Sequence, residues 1–321
     1  MMYLLLLVGF ALLIKGADYF VDGASNIASS LRVSPLLIGL TIVAFGTSAP
    51  EATVSILAAL QGSADVTLGN VVGSNIFNIT FIVGVTAFLS PLMVESSTIR
   101  KEIPFTMLGS IVLLVLMSDV ALNGLLDNVL SRSDGLVFLL IFSVFMYYIF
   151  EVARNNRLDA APEIVNDKPL SKTSWGKYIL FTIGGLIAII FGGNLVVTNA
   201  VEIAYSFGMS ETLVGLTIVA IGTSLPELVT SVTAALKKES EIALGNLVGS
   251  NIFNILFVVG VSAVIYPLPV DADIFIDLFI LIAVTVALFI FSRSNYRISK
   301  VEGVILVTVY IVYLVYIIMR G

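Results

Sequence analysis

The sequence predicts an all-α polytopic membrane protein of ten transmembrane helices, arranged as two inverted repeats of five helices. Three observations lead to this prediction. Of the 321 residues, 58% are hydrophobic and only 12% are charged, and the mean hydropathy of +1.07 lies far outside the range of soluble domains. A long motif occurs twice in the chain. Lys and Arg residues also fall almost entirely on one side of the predicted membrane.

The duplicated motif occupies residues 39–85 and 215–261. The first copy contains GLTIVAFGTSAPE and LGNVVGSNIFNI, and the second contains GLTIVAIGTSLPE and LGNLVGSNIFNI. Shifted by 176 residues, the copies align without a gap and share 30 identities in 47 positions. An internal repeat of this kind indicates that the chain is built from two related halves, so equivalent residues are expected to have related roles.

Apolar segments long enough to cross a bilayer define the elements. A membrane core about 30 Å thick needs roughly 20 apolar residues in a helix. The N-terminal segment lacks the basic region of a signal peptide and continues through Lys15 and Asp18, so we interpret it as a span. The ten predicted spans are 2–31, 36–60, 66–90, 103–120, 134–151, 176–206, 212–236, 241–265, 272–291 and 301–319.

The single sizeable polar connection, residues 152–175, separates five predicted spans from five. The first repeat is therefore predicted at 1–151 and the second at 176–321. Because five is an odd number, the second repeat enters the membrane from the opposite side. Inverted repeats of this kind are typical of secondary transporters, whose binding sites lie near the midplane where interrupted helices of the two halves meet.

Basic residues define the orientation, because short cytoplasmic loops accumulate them. With ten spans, the face that carries both termini has only Arg132 and Arg320. The thirteen basic residues of the opposite face are Arg32, Arg100, Lys101, Arg154, Arg157, Lys168, Lys172, Lys177, Lys237, Lys238, Arg293, Arg297 and Lys300. The prediction is a multi-pass cell-membrane protein with both termini outside and the 152–175 linker in the cytoplasm.

The first span carries charges that the sixth does not share. Lys15, Asp18 and Asp22 follow each other at spacings of three and four, which allow side chains to pair along one helix face. The equivalent residues of the sixth span are Phe191, Asn194 and Thr198. We expect a local ion pair near an interface or a water-filled crevice, and a part in transport is the alternative.

Composition restricts the chemistry, because Cys and His are both absent. This excludes disulfides, thiolate or imidazole metal sites, and catalytic dyads or triads that need either residue. The remaining groups are carboxylates, hydroxyls, amides and the backbone. No cofactor is predicted. An intramembrane enzyme with Ser48 or Ser224 as nucleophile is disfavoured, because neither serine has a histidine partner and Lys15 is the only nearby lysine.

One glutamate in each copy, Glu51 or Glu227, lies within a span. An ionisable side chain at that depth costs at least a few kcal/mol and by default marks an ion or substrate path. The alternative is a structural carboxylate paired with a basic residue. No Lys or Arg lies in the core of either motif, and the intramembrane Lys15 could serve only one of the two glutamates.

A proline precedes each glutamate. Pro50 and Pro226 cannot donate a backbone hydrogen bond to Gly46 and Gly222, four residues back, so those carbonyls are released. Unwound backbone at membrane depth needs a protein or cavity environment, and a bound cation would suit it. The hydroxyls that precede the prolines are those of Thr47, Ser48, Thr223 and Ser224. Their alternative role is a bond back to their own helix.

The second block of each motif adds hydroxyl and amide groups. These are Asn70, Ser74, Asn75 and Asn78 in the third span, and Asn246, Ser250, Asn251 and Asn254 in the eighth. Ser74 and Asn78 share a helix face, as do Ser250 and Asn254. Small and amide residues also let helices approach closely and bond across. Packing is therefore the expected role of Gly69, Gly73, Gly245 and Gly249, and Asn75 and Asn251 are candidates for interhelical bonds or a secondary place in the site.

Together the two copies offer two carboxylates, two amide oxygens, several hydroxyls and freed carbonyls, without nitrogen or sulfur ligands. All-oxygen coordination is typical of hard cations, and Ca²⁺ takes six to eight oxygens in flexible geometry. Mg²⁺ is disfavoured by its strict octahedral preference. Two carboxylates neutralise one Ca²⁺. Na⁺ could use the same oxygens at neighbouring subsites, and three Na⁺ would leave one net positive charge to cross the membrane.

With these residues the sequence resembles the cation/calcium exchanger superfamily, and within it the sodium/calcium exchanger branch. The motifs at 39–85 and 215–261 resemble its alpha repeats, and the ten-span arrangement extends the resemblance over essentially the whole chain. The resemblance implies exchange of Na⁺ for Ca²⁺ by alternating access, with Ca²⁺ held by Glu51 and Glu227 and with Asn78 and Asn254 nearby. The implied Na⁺ ligands are Thr47, Ser48, Thr223, Ser224, Ser74 and Ser250, and the carbonyls of Ala44 and Ala220.

The resemblance also implies that the first and sixth spans slide as a pair, with close contact at Gly16, Gly192 and Gly193. Potassium-dependent relatives usually carry aspartate where this chain has Asn254, so K⁺-independent exchange is expected. Proton-coupled Ca²⁺ exchange on the same fold is the alternative, although those relatives lack the GTSxPE block. A passive cation channel is a further alternative.

The expected partners are Ca²⁺, Na⁺ and the lipid bilayer. No nucleic acid and no obligate protein partner are predicted. The 152–175 linker is too short for a cytoplasmic calcium-sensing domain, so the chain resembles a minimal prokaryotic exchanger.

Overall fold

The computed structural model describes residues 2–159, 172–207 and 220–320, and these are almost entirely helical. The α-helices are α1 Met2–Leu31, α2 Pro35–Ile38, α3 Ala44–Thr47, α4 Ala49–Leu60, α5 Ala64–Phe77, α6 Val83–Leu89, α7 Ile103–Leu116, α8 Asp119–Asn123, α9 Arg132–Asp159, α10 Lys172–Ser206, α11 Ala220–Thr223, α12 Leu225–Leu236, α13 Ser240–Ile252, α14 Gly260–Ile265, α15 Ala272–Arg293 and α16 Lys300–Arg320. Wider π-helical turns are π1 Gly39–Val43, π2 Asn78–Ile82, π3 Thr98–Glu102 and π4 Phe253–Val259. The short strands are β1 Leu92–Met93, β2 Val129–Leu130, β3 Leu268–Pro269 and β4 Arg297–Ile298.

Within these ranges, seven helices are long and apolar enough to cross a membrane, or eight if one bent pair counts as a single span. Large apolar side chains such as Leu140 and Val312 are exposed on the outer helices, as expected for surfaces that face lipid. The fold is therefore that of a polytopic membrane protein. Ten spans in inverted repeats stay a prediction, because α7 has only 14 residues and residues 212–219 of the seventh span lie outside the described residues.

Most predicted spans agree with the helices to within a few residues. The third span, 66–90, corresponds to α5, π2 and α6, and the eighth, 241–265, to α13, π4 and α14. The polar connection differs more. Helix α9 continues to Asp159 and α10 begins at Lys172, so helix covers both ends of the predicted 152–175 linker. Residues 160–171 lie outside the described residues. Exposed polar residues such as Glu151 and Arg154 continue α9 beyond its apolar segment.

Helices α1 and α10 pack side by side through glycines. A Cβ added to Gly16 would lie 2.9 Å from the carbonyl oxygen of Gly185, and one added to Gly192 would lie 2.8 Å from that of Gly9. Real side chains do not fit such spacing, so the two backbones touch directly. Gly16 and Gly192 were expected in this contact and Gly9 and Gly185 were not. At Gly193 an added Cβ would meet Pro226 Cγ at 3.7 Å, an ordinary contact.

The predicted second span is broken at Ser48. The segment Pro35–Thr47 and helix α4 meet at an angle of 50°. Pro50 occupies the first turn of α4, where its missing N–H group removes one hydrogen bond from the preceding turn. In the second half the chain breaks in the same way at Ser224, between α11 and α12, with Pro226 in the first turn of α12. Each break leaves a glutamate at the start of the following helix.

Helices α5 and α13, together with π2, π4, α6 and α14, form the interior of the molecule. Gly245 and Gly249 lie against the backbone of the second span: an added Cβ would meet the carbonyl oxygens of Leu36 at 2.7 Å and Leu40 at 2.6 Å. The expected packing role of these two glycines is therefore visible. Gly69 and Gly73 are the equivalents of Gly245 and Gly249, and the residues equivalent to their contacts Leu36 and Leu40 are at 212 and 216, which lie outside the described residues.

Two small antiparallel sheets join the halves of the chain. Leu92 and Met93 of β1 pair with Ile298 and Arg297 of β4. The second sheet pairs Val129 and Leu130 of β2 with Pro269 and Leu268 of β3. In both sheets one strand comes from each half. Helices α7 and α15 run from one sheet to the other, so the sheets lie at opposite ends of these helices.

Candidate cation-binding site

The two motif glutamates lie in the first turns of α4 and α12, and both side chains are completely buried. In the described part of the chain, neither carboxylate forms an ion pair with Lys or Arg. The structural alternative, a carboxylate neutralised by a basic residue, therefore finds no support there. Two buried acids without a counter-ion are costly unless a cation or a proton compensates them.

A reciprocal pair of hydrogen bonds links the two breaks. Ser48 Oγ donates to Glu227 Oε1 at 2.8 Å, and Ser224 Oγ donates to Glu51 Oε1, also at 2.8 Å. Each serine thus contacts the glutamate of the other half rather than that of its own. The structure brings Glu51 and Glu227 to one place, as the repeat predicts, and orients one oxygen of each.

A second pair of bonds holds the glutamate helices against α5 and α13. Asn70 Nδ2 donates to the Glu51 carbonyl at 3.2 Å and to Ser55 Oγ at 2.9 Å. The equivalent amide in the other half is that of Asn246, whose Nδ2 lies 3.5 Å from the Glu227 carbonyl and 2.9 Å from Ser231 Oγ. These contacts place each carboxylate next to the asparagine-rich helix of its own half.

Eleven buried side-chain oxygens have no hydrogen-bond partner in the described structure, and four of them belong to the duplicated glutamates and asparagines of the two motifs: Glu51 Oε2, Glu227 Oε2, Asn78 Oδ1 and Asn254 Oδ1. Native proteins pair nearly all buried polar atoms, so four related exceptions require an explanation. The segment π4, which carries Asn254, packs on the helix of Glu51, and π2, which carries Asn78, packs on the helix of Glu227. The unpaired oxygens therefore belong to elements that contact each other across the two halves.

The remaining predicted ligands surround these groups unequally. Thr47 Oγ1 lies 2.9 Å from Asn246 Oδ1 and also within reach of its own helix, 3.1 Å from the Val43 carbonyl. The Ala44 carbonyl accepts from the Ser48 N–H at 3.0 Å and lies 3.5 Å from Ser250 Oγ. This carbonyl is therefore already hydrogen-bonded.

In the second half, the Ser224 N–H donates to the Ile221 carbonyl at 3.2 Å. Thr223 lies at the end of α11 and is half-buried, and Ser74 is buried on α5 next to the asparagines. The released carbonyls expected at Gly46 and Gly222 lie immediately before the two breaks, one turn from the carboxylates.

The groups that could bind a cation at this site are all oxygen atoms. In the described ranges no three side chains from His, Cys, Asp and Glu form a cluster that could hold a metal. Two carboxylates are thus supplemented by amides, hydroxyls and carbonyls. Such a set suits hard cations that accept irregular coordination, as Ca²⁺ and Na⁺ do.

The charges of the first span have a different partner from the one expected. Lys237 Nζ lies 2.7 Å from Asp18 Oδ1 and 2.7 Å from Asp22 Oδ1, and it also donates to the Asp18 carbonyl. The expected local pairing with Lys15 is therefore corrected to a contact between α1 and the residue that follows α12. Local spacing could not reveal it, because Lys237 is more than 200 residues away in the sequence.

Two serines of the site region were not predicted from the sequence. They are Ser55 and Ser231, whose hydroxyl oxygens accept hydrogen bonds from Asn70 and Asn246. A signal was present, because the two serines are related by the same 176-residue shift and each follows its glutamate by four. Lys237 carried no such signal, because the equivalent residue in the first copy is Gln61.

A polytopic helical fold with buried acids at two facing helix breaks defines a membrane transporter for cations. The chain belongs to the family described as sodium/calcium exchanger protein, whose model matches residues 1–151 and 177–319. This family consists of cation/calcium antiporters rather than enzymes.

Relatives match over nearly the whole chain. CaxA of Alkalimonas amylolytica is 44% identical over 96% of this chain and 95% of its own length. The sodium/calcium exchanger MaX1 of Methanosarcina acetivorans is 35% identical over 98% and 97%. Among solved structures, that of the sodium-calcium exchanger NCX_Mj superposes with a TM-score of 0.82 at 30% identity, covering 96% of both chains.

Proposed function

We propose that this protein exchanges Na⁺ for Ca²⁺ by alternating access, with Ca²⁺ held by Glu51, Glu227, Asn78 and Asn254. The four unpaired buried oxygens of these residues carry the proposal. A Ca²⁺ ion among them would receive two carboxylate and two amide oxygens, and it would neutralise both charges. Hydroxyls and carbonyls complete a coordination shell of six to eight oxygens.

The same charges explain why such a site supports exchange rather than leak. Two ionised carboxylates without a counter-ion are strongly disfavoured in a buried site. When the site is empty, the protein therefore resists entering the occluded state, in which the site is closed to both sides of the membrane. When the site holds Ca²⁺ or Na⁺, the protein can pass through this state. Access changes only with one cargo or the other in place, which is the condition for antiport.

Na⁺ would use the same two carboxylates together with neighbouring oxygens. The proposed set consists of Thr47, Ser48, Thr223, Ser224, Ser74, Ser250 and the carbonyls of Ala44 and Ala220. Ser48 and Ser224 are the best supported, because each contacts a glutamate directly. If three Na⁺ replace one Ca²⁺, one net positive charge crosses per cycle and the exchange is electrogenic. Asn254, an amide rather than a carboxylate, favours K⁺ independence.

The topology belongs to the same proposal. Ten spans in two inverted repeats, 1–151 and 176–321, would place both termini outside and the 152–175 linker in the cytoplasm. The reciprocal bonds between residues related by the 176-residue shift support two equivalent halves that meet at one site. The glycine contact of α1 and α10 supports their movement as a pair.

The test is Ca²⁺ uptake by purified protein in liposomes under imposed Na⁺, H⁺ or K⁺ gradients in turn. We expect uptake only with an outward Na⁺ gradient, no dependence on K⁺, and faster uptake when a K⁺-valinomycin potential compensates the charge. Uptake driven by a pH gradient without Na⁺ would identify proton coupling instead, and flux that ignores every opposing gradient would identify a channel. Glu51→Gln provides the matched protein without a functional site.

A further inference from the structure

Asn75 and Asn251 lie at the centre of the contact between the halves, one on α5 and one on α13. They are related by the 176-residue shift, and both are buried, with 0% and 1% exposure. Each lies three residues before an asparagine of the proposed Ca²⁺ site. Their side chains do not extend that site directly. They bond instead to the site asparagines of the opposite half.

The bonds form a crossed pattern. Asn78 Nδ2 donates to Asn251 Oδ1 at 3.1 Å, and Asn254 Nδ2 donates to Asn75 Oδ1 at 3.3 Å. Asn75 Nδ2 also donates to the backbone carbonyl of Asn251 at 3.3 Å. The amide nitrogens of both site asparagines are therefore occupied by acceptors from the other half.

This pattern determines which end of each site amide is free. An asparagine side chain has an NH₂ group at one end and an oxygen at the other, and only the oxygen can bind a cation. Because Nδ2 is held by the opposite asparagine, Oδ1 is turned away from it, and in both residues that oxygen is buried without a partner. A buried acceptor left unpaired costs about 1–3 kcal/mol, and bound cations would offset this cost.

We propose that Asn75 and Asn251 are positioning residues: each holds the site asparagine of the other half with its oxygen towards the cation. The proposal rests on the Ca²⁺ site described above. Without the acceptor, the amide of Asn78 or Asn254 can rotate and present NH₂ to the ion. The two halves are thereby coupled, because the ligand geometry of each half depends on a residue of the other.

The simpler role, interhelical bonding alone, makes a different prediction in a double-mutant cycle. Asn251→Leu removes the acceptor at similar volume. Asn78→Asp replaces the amide by a carboxylate, whose two oxygens are equivalent and need no orientation. A positioning role therefore predicts that Asn251→Leu is harmful only while residue 78 is an amide. A bonding role predicts the same penalty in both backgrounds.

The experiment measures equilibrium ⁴⁵Ca²⁺ binding to full-length protein in detergent, without any coupling gradient. We expect Asn251→Leu to weaken Ca²⁺ binding by about tenfold in the wild-type background and by less than about twofold in the Asn78→Asp background. Equal losses in both backgrounds, or no loss in the wild-type background, would overturn the proposal. If Asn251→Leu does not fold, Asn75→Leu with and without Asn254→Asp repeats the cycle at the other pair.

Glu51→Gln separates this proposal from the function on which it rests. If Glu51→Gln binds Ca²⁺ as tightly as the wild type, the proposed site itself is wrong, and the positioning role is rejected with it. If Glu51→Gln loses binding but the double-mutant cycle shows no coupling, the site stands and only the positioning role is rejected.

Discussion

The motif core and the peripheral helices differ in how closely their contacts follow the repeat. In the core, contacts recur under the 176-residue shift: Ser48 bonds to Glu227 as Ser224 bonds to Glu51. At the periphery they do not. Helix α1 is tied to the residues after α12 by Lys237 and by a bond of 2.8 Å from Ser25 Oγ to Glu239 Oε1. In the described part of the chain, no hydrogen bond or ion pair joins α10 to α4 or to residues 61–63 that follow it.

The sequence contains the cause of this difference. Gln61 stands in place of Lys237, and Asn194 and Thr198 stand in place of the two aspartates. Thr198 Oγ1 bonds within its own helix, to Asn194 Oδ1 at 3.2 Å. Two related halves thus share the contacts of the motif core but hold their peripheral helices differently. Under the proposed alternating-access mechanism, such an asymmetry would distinguish one state of access from the other.

The largest expected effect tests the symmetry of the core. Glu51→Gln and Glu227→Gln should each reduce Na⁺-driven Ca²⁺ uptake in liposomes by more than about 100-fold, because losing one partner of a buried charge arrangement costs about 3–5 kcal/mol. The two losses should agree within about threefold. Glu151→Gln, at an exposed position of α9, is the control and should keep normal uptake. Normal uptake in either motif variant would contradict the shared site.

The serine pair provides a finer test of the same symmetry. Ser48→Ala and Ser224→Ala each remove a hydrogen bond to a buried carboxylate, a contact worth about 1.5–3 kcal/mol. We expect Ca²⁺ affinity to fall by about tenfold or more in both, measured by equilibrium binding. Ser143→Ala, whose hydroxyl bonds within exposed α9, serves as the control. A loss confined to one of the two serines would show that the core is functionally asymmetric.

The contact of α1 with α10 can be separated from the core. Gly16→Ala forces a methyl group against the Gly185 backbone and should lower the free energy of unfolding by about 1–3 kcal/mol. The measurement is the thermal midpoint in detergent, with and without Ca²⁺. Gly184→Ala, on the exposed side of α10 where no described atom lies within 4 Å, should have no such cost. Equal midpoints for the two variants would contradict direct backbone contact.

The smallest effect concerns Lys237 itself. Burial lowers the pKa of Lys237, but its hydrogen bonds to Asp18 and Asp22 outweigh burial and raise the pKa above the usual lysine value. The lysine therefore loses its charge at a higher pH than an ordinary lysine does. Its side chain and those of both aspartates are partly exposed, so the contact is worth no more than about 1 kcal/mol.

Lys237→Gln gives the second half the residue that the first half has at the equivalent position, Gln61. Because the chain has no cysteine, Ser25→Cys introduces a unique thiol at this contact. We expect maleimide to modify it up to about fivefold faster in the Lys237→Gln background. Lys238→Gln, at the neighbouring exposed residue, should leave the rate unchanged. If both changes accelerate modification equally, local charge and not the contact with α1 is responsible.

Much of this structure was predictable because the relevant information is local or repeated. Segments such as 241–265 and 272–291 agree closely with the helices, since apolar length alone defines them. Glu51 and Glu227 stood out as charges in apolar sequence, and duplication identified their neighbours. The π-helical turns at Asn78 and Phe253 were not predicted, because their composition does not differ from that of ordinary helix.

The partners were harder to predict than the residues. Nothing in the sequence indicates that Ser48 reaches Glu227 rather than Glu51, since that choice depends on how two distant helices face each other. The same reason explains Lys237. Packing across the whole fold brings Lys237 to Asp18 and Asp22 of α1. In the sequence, the basic residue near these two aspartates is Lys15.

The two strand pairs restrict how such a molecule can change shape. Each pair joins the two halves by backbone hydrogen bonds, and the pairs lie at opposite ends of α7 and α15. A hinge that opened the halves like a clamshell would have to separate the strands at whichever end it widened. Helices α1 and α10 contribute no strand to either pair. In the proposed alternating-access cycle they would therefore travel along a frame that keeps its shape, and the distance between the two glutamates would not need to change while access does.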